Sequence, residues 1–129
     1  MTVLVGYVPT AEGEAAFAAA LQEAQRRGEP LVVLNSPKSG APVSAAVASE
    51  SAVQDMTARA GTAGVTLDLR QAAHSGDVAD EILRVAQETD ASLIVIGMRK
   101  RSPVGKLLMG SSAQRILLDA DRPVLAVKP

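Results

Sequence analysis

The strongest chemical signal in the sequence is a basic segment that ends in Gly-Ser-Ser. The segment between Gly97 and Gly110 carries four cations: Arg99, Lys100, Arg101 and Lys106. A helix predicted to begin near Ser111 would present backbone N–H groups without partners inside the helix, and its dipole adds about half a positive charge there. Such a helix end is suited to bind phosphate or another anion. The alternative is an ordinary serine cap beside a solvated basic loop.

The strands that must position this segment are short apolar runs. Four of them are nearly continuous in apolar residues, as expected for strands covered by helices on both faces: Thr2 to Val8, Leu31 to Leu34, Ser92 to Gly97 and Pro123 to Val127. The fifth, Val65 to Arg70, alternates between apolar and polar residues. This period of two predicts a strand at the edge of the sheet with one face in water.

Helical periodicity fills the segments between the strands. The predicted helices span four ranges: Glu12 to Arg27, about Ser44 to Ala60, about Val78 to Thr89, and a last one from near Ser111. Gly28 is predicted to cap the first helix, and Gly61 and Gly64 to end the second. Asp77 is placed to cap the third. The alternation predicts one α/β domain over residues 1–129, an open five-stranded parallel sheet with helices on both faces.

Composition and charge exclude several classes of function. The chain has 129 residues, of which 47% are hydrophobic and 21% charged, as in soluble globular domains. A net charge of −1 gives no general attraction to nucleic acid or membranes. The absence of cysteine and the single histidine argue against a metal site and against cysteine catalysis. Neither a signal peptide nor an apolar run of about 18 residues is evident, so we expect a cytoplasmic location.

Other candidate motifs carry less chemistry. Gly105-Lys106 resembles the end of a P-loop, but Leu107 stands where Ser or Thr would hold magnesium. His74 lies next to Ser75 in a predicted loop after the edge strand, and neither a second ligand nor a nucleophile partner is evident. Asp119 and Asp121 flank the turn after the last helix, which fits a role in turn geometry. We therefore predict no catalytic residue.

Ligands of open α/β sheets bind outside the carboxyl ends of the strands. The residues to consider are those that follow the predicted strands: Tyr7, Val8, Pro9 and Thr10 after the first, Asn35 and Ser36 after the second, and Gly97 to Gly110 after the fourth. The basic segment is one of these three groups. The sequence therefore predicts that it shares a crevice with the end of the first strand.

At these positions the sequence resembles the universal stress protein family. Gly97, Lys100, Gly110 and Ser111 have the spacing of that family's phosphate-binding signature, Gly-x2-Gly-x9-Gly-Ser/Thr. Gly76-Asp77 and the terminal Pro-Val-Leu-Ala-Val strand also match, so the resemblance covers the whole chain. It implies a Rossmann-like fold of the adenine nucleotide alpha hydrolase type that holds ATP or AMP. It also implies a regulatory role in the stress response.

The resemblance implies a set of nucleotide-binding residues. They are Gly97, Arg99, Lys100, Gly110, Ser111 and Ser112, together with Val8, Pro9 and Thr10 after the first strand. Lys100 replaces the family's second glycine, and Val8 replaces an Asp that commonly contacts the nucleoside. Loss of that carboxylate removes about 0.5–1.5 kcal/mol of net hydrogen bonding. Lys100 could pair with phosphate oxygens as a point charge.

The last strand bears on protein partners. Val124 to Val127 is wholly apolar, although strands at sheet edges usually carry charge or proline. The resemblance implies that this strand forms a homodimer, and the alternative is cover by a helix or loop of the same chain.

Two other functions stay open. A slow ATP-hydrolysing enzyme would need a group that orients water and a carboxylate that holds a metal. A nucleotide-free dimeric interaction domain, binding a protein or another anion, is favoured by Val8 and Lys100.

Overall fold

A computed structural model describes residues 1–35, 50–71, 78–98 and 110–129. Five strands lie in these ranges: β1 (Thr2–Gly6), β2 (Leu31–Asn35), β3 (Leu67–Gln71), β4 (Ala91–Gly97) and β5 (Val124–Val127). The same ranges hold four helices: α1 (Ala11–Arg27), α2 (Glu50–Ala63), α3 (Val78–Glu88) and α4 (Ser111–Asp119). The predicted alternation of strand and helix is confirmed. The predicted helix start at Ser44 and the cap at Asp77 lie outside the described residues.

All five strands belong to one parallel sheet in the order β3-β2-β1-β4-β5. The chain therefore moves outward from β1 in one direction to β3, then crosses back and moves outward in the other direction to β5. The predicted edge position of the third strand is confirmed, and β5 forms the opposite edge. Right-handed crossovers that run in opposite directions place their helices on opposite faces of the sheet.

Alternate residues of β1 belong to two separate hydrophobic clusters. Val3 and Val5 pack in one cluster with the buried sides of α1 and α2. Leu4, between them, packs in the other with the buried sides of α3 and α4. Full burial of an aliphatic side chain contributes about 1.5–3 kcal/mol, so both faces of the sheet stabilise the fold. The prediction of helices on both faces is confirmed.

Two strand boundaries differ by two residues from those predicted, and in both places a nearby backbone amide bonds outside the sheet. β1 ends at Gly6, two residues before the predicted end at Val8, and the Thr10 amide donates to the Val8 carbonyl at 2.8 Å. This bond folds the chain into a turn that leads to α1. β3 begins at Leu67, since the Val65 amide donates to the Ala60 carbonyl at the end of α2.

Glycines end the first two helices, although not all as predicted. Gly28 caps α1 in the left-handed region with φ of 67°, which confirms the prediction. α2 continues through Gly61 and ends before Gly64, whose φ is 71°. The prediction that Gly61 helps to end α2 is wrong. An isolated helical glycine costs only about 1 kcal/mol, and the buried Met56 and Ala60 hold this part of α2 against the core.

The two glycines of α2 should therefore respond oppositely to alanine. A Cβ at Gly61 would meet no heavy atom within 4 Å, so Gly61→Ala should stabilise the protein by about 0.5–1 kcal/mol. Gly64→Ala should destabilise it by about 1–2 kcal/mol, because a left-handed backbone strains any residue with a Cβ. Urea unfolding of the two variants measures both values. Changes of the same sign would contradict this account of the helix end.

Candidate functional site

A cavity of about 480 Å³ lies at the carboxyl ends of β1 and β4. These two strands are neighbours, and the strand order reverses between them. Such a reversal opens a crevice, because the loops that leave the two strands turn to opposite faces of the sheet. Pockets that hold small molecules range from about 300 to about 1,000 Å³. The predicted crevice between the first and fourth strands is thus present and large enough for a ligand.

The floor of the cavity is apolar. Five buried side chains from both the sheet and its helices form it: Leu34, Ile82, Ile96, Met98 and Ile116. Met98 is buried and also lines the cavity. Buried aliphatic and thioether side chains of this kind provide the contact surface that a planar ring requires.

One rim of the cavity is the turn between β1 and α1. Val8, Pro9 and Thr10 lie there, followed by Glu12 and Gly13 in the first turn of the helix. The Thr10 hydroxyl accepts a hydrogen bond from the Gly13 amide at 3.2 Å and so caps α1. The N-terminal end of α1 therefore has a cap from its own chain.

Glycines allow this rim to pack directly on the sheet. A Cβ at Gly13 would lie 1.8 Å from the Val8 carbonyl oxygen, and one at Gly97 would lie 2.3 Å from the Glu12 carbonyl oxygen. No side chain fits at either position without movement of the backbone. Gly97, which was predicted as a phosphate contact, thus also has a packing role in the fold.

The opposite rim is the start of α4. Gly110 is its N-cap, with extended backbone angles of −63° and 153°, and provides no side-chain hydrogen bond to the helix. Ser111 and Ser112 follow on the cavity side, and Ser111 is exposed. A helix that begins on a glycine leaves room for a ligand near its first amides, where the dipole favours negative charge.

Tyr7 connects the cavity to the core beneath it. Its side chain is buried, and its hydroxyl donates to Glu14 Oε1 at 2.6 Å. Its carbonyl accepts a hydrogen bond from Nδ2 of the buried Asn35 at 2.9 Å. Burial, followed by the hydrogen bond to Glu14, raises the pKa of Tyr7 above its ordinary value of 10.0. Asn35 therefore supports the site through Tyr7 and is not itself a lining residue.

Most of the predicted site residues meet in this cavity. Its lining includes seven of them: Val8, Pro9, Thr10, Gly97, Gly110, Ser111 and Ser112. Arg99 and Lys100 lie outside the described residues, as do the rest of the basic segment, Ser36, His74 and the Gly76-Asp77 pair. Asp119 and Asp121 are not lining residues and form ion pairs with Arg115 and Arg122.

Some residues that line the cavity were not predicted from the sequence. Glu12 lies in the first turn of α1, and Val78 and Ile82 lie in the first two turns of α3. The prediction covered Ser111 and Ser112 in the first turn of α4 but not the first turns of α1 and α3, which the crevice also exposes. Within the described ranges no cluster of His, Asp or Glu could hold a metal ion, and no helix there is long and apolar enough to span a bilayer.

The buried phenol of Tyr7 predicts a loss of stability at high pH. The folded chain keeps the phenolic proton where the unfolded chain has lost it, so the free energy of unfolding should fall above pH 10.0, by up to about 1.4 kcal/mol per pH unit. Below pH 10.0 the contribution of the protonated Tyr7 phenol to stability is fully present. Urea unfolding from about pH 9 to about pH 11 should show a steeper decline for the native sequence than for Tyr7→Phe. Parallel pH profiles of the two proteins would contradict it.

Comparisons with known proteins agree with this architecture. The model of the universal stress protein family matches residues 1–128. A universal stress protein of Mycolicibacterium smegmatis is 43% identical over 127 residues, which cover 98% of this chain and 97% of the relative. A solved universal stress protein from Archaeoglobus fulgidus is 30% identical with a TM-score of 0.81, and the match covers 99% of this chain and 98% of that one.

Two more distant structures share the fold and were solved with nucleotides. An A. fulgidus universal stress protein in complex with dAMP is 24% identical with a TM-score of 0.71, over 99% of this chain and 98% of that one. A universal stress protein in complex with cAMP is 23% identical with a TM-score of 0.66, over 99% and 96% of the two chains. Because the family model matches nearly the whole chain and the M. smegmatis relative is 43% identical over almost its full length, the chain belongs to the universal stress protein family.

Proposed function

We propose that this protein is a regulatory module that binds an adenine nucleotide, ATP or AMP, in the cavity between β1 and β4. One observation carries the proposal: a single cavity joins an apolar floor to a helix start that has no side-chain cap. An apolar floor suits a base, and the N-terminal end of a helix suits a phosphate. The dAMP and cAMP complexes of proteins with the same fold support this choice of ligand.

The two rims suggest an orientation for the nucleotide. We infer that its phosphate lies at Gly110, Ser111 and Ser112, where backbone amides and hydroxyls can donate hydrogen bonds. The cations Arg99 and Lys100 of the neighbouring basic segment would add charge at this end. The nucleoside then lies between the apolar floor and the turn at Val8, Pro9 and Thr10. Van der Waals contacts with this turn also favour binding of the nucleoside.

Binding is favoured over hydrolysis as the function. Phosphoryl transfer to water requires a metal ion that bridges phosphate oxygens and a group that orients the water. Among the described lining residues Glu12 is the one carboxylate, and it has no second acidic side chain beside it in the lining. We therefore propose that the nucleotide is a regulatory ligand that the protein holds without hydrolysing it.

Nucleotide binding should raise the stability of the folded protein. At a hundredfold excess over the dissociation constant, ATP or AMP should add about 2.7 kcal/mol to the free energy of unfolding. Thermal unfolding with and without each nucleotide measures this. If neither nucleotide changes the melting temperature, the proposed function is wrong.

A negative charge placed at the start of α4 should affect protein stability and ligand binding in opposite directions. Ser111→Asp should stabilise the free protein by about 0.3–1 kcal/mol, because an acidic residue in the first turn complements the helix dipole. It should nevertheless weaken AMP binding about tenfold, since it repels the phosphate. Ser51→Asp, in the first turn of α2 and away from the cavity, is the matched control and should leave AMP binding unchanged. Equal AMP affinities in all three proteins would contradict the phosphate position.

We also propose that the protein forms a homodimer through β5. Within the described residues β5 pairs only with β4, so its outer edge has unpaired backbone groups. Leu125, in the middle of the strand, is 37% exposed. An apolar edge without charge or proline is suited to pair with a second copy of itself.

A lysine at Leu125 should dissociate the proposed dimer. Leu125→Lys adds a charge at the strand edge and should give a monomer at protein concentrations where the native sequence is dimeric. Leu118→Lys is the matched control, because Leu118 is 77% exposed but lies on α4. Sedimentation equilibrium of the three proteins measures the association. A monomeric native sequence, or equal dissociation by both lysines, would rule out the proposed interface.

A further inference from the structure

Glu12 is the one charged side chain among the described residues that line the cavity. It lies in the first turn of α1 and is partly exposed. Its backbone and Cβ lie against Gly97, which holds this residue at the junction of α1 and β4. In the part of the chain that the structure describes, its carboxylate has neither a hydrogen bond nor an ion pair. The cavity thus contains an acceptor that the described residues do not use.

A carboxylate in this cavity gives it two chemically different ends. The start of α4 offers hydrogen-bond donors and the positive end of a helix dipole. Glu12 offers two oxygens that only accept hydrogen bonds and that repel an anion. A ligand that fits both ends must carry an anionic group together with neutral hydrogen-bond donors. A simple inorganic anion satisfies only one end.

The depth of the lining residues indicates which part of a nucleotide meets Glu12. Leu34, Ile82 and Ile96 are buried at the floor of the cavity, whereas Glu12 is partly exposed at its rim. The base, which is the most apolar part, belongs at the floor. The ribose connects base and phosphate and remains nearer to solvent. Its two adjacent hydroxyls match the two oxygens of a carboxylate, which is how acidic residues recognise ribose in other nucleotide-binding sheets.

Building on the proposed function, we propose that Glu12 is the residue that selects a ribonucleotide, by accepting hydrogen bonds from the ribose hydroxyls. Val8, on the same rim, offers no polar atom in its side chain, so Glu12 supplies the only carboxylate among the described lining residues. The role is one of specificity, since the phosphate contacts at α4 do not require it. Removal of Glu12 should therefore change which nucleotide is preferred more than it changes binding in general.

The test compares AMP with dideoxy-AMP, which lacks both ribose hydroxyls, by titration calorimetry. The native sequence should bind AMP at least about tenfold more tightly than dideoxy-AMP, because a hydrogen bond to a charged acceptor contributes that much. In Glu12→Ala the ratio should fall close to one, and in Glu12→Gln, whose amide oxygen still accepts, it should be intermediate. Glu23→Gln, on the same helix but outside the cavity, is the matched control and should keep the native ratio.

Pyrophosphate provides a second readout that a structural role of Glu12 would not produce. Because Glu12 repels anions, Glu12→Ala should bind pyrophosphate more tightly than the native sequence while it binds AMP more weakly. A ratio of AMP to dideoxy-AMP affinity that is the same in the native protein and in Glu12→Ala would overturn the inference. So would a variant that loses discrimination against inosine monophosphate instead, since Glu12 would then contact the base. If AMP and ATP do not bind the native protein at all, the proposed function itself fails.

Discussion

The parallel pairing of β1 with both β2 and β4 is the constraint on which the rest of the structure depends. It places β1 in the centre of the sheet, with β2 and β3 added on one side and β4 and β5 on the other. Right-handed crossovers then put α1 and α2 on one face and α3 and α4 on the other. The cavity is a direct result of this topology, because the loops after β1 and β4 turn away from each other.

Close backbone packing joins this fold to its site. Gly13 lies against the Val8 carbonyl and Gly97 against the Glu12 carbonyl, so the start of α1 is fixed on the ends of both central strands. The same contacts hold Glu12 on the rim of the cavity opposite the start of α4. Gly97, a signature glycine, therefore has a packing role at the rim of the cavity. The proposed nucleotide fits these two rims, because it combines an anionic end with neutral hydrogen-bond donors.

Much of the fold was predictable from the sequence, because continuous apolar runs such as Leu31 to Leu34 require cover on both faces. The edge position of β3 followed from its alternation of apolar and polar residues. The path of α2 through Gly61 was not predictable, since tertiary packing of Met56 and Ala60 outweighs a small local preference. Seven predicted residues line the cavity because they stand at or next to the junctions between strands and helices. Glu12 was missed, since only the packed backbone reveals that the first turn of α1 faces the crevice.

In the proposed complex the start of α4 receives the anionic end of a nucleotide bound between β1 and β4. Amide chemical shifts recorded by NMR during titration with AMP test it most directly, because each backbone N–H reports its own hydrogen bonding. We expect the largest shifts at Gly110, Ser111 and Ser112, with smaller ones at Thr10 and Glu12 across the cavity. Saturable AMP binding that leaves the amides of 110–112 unchanged would contradict it.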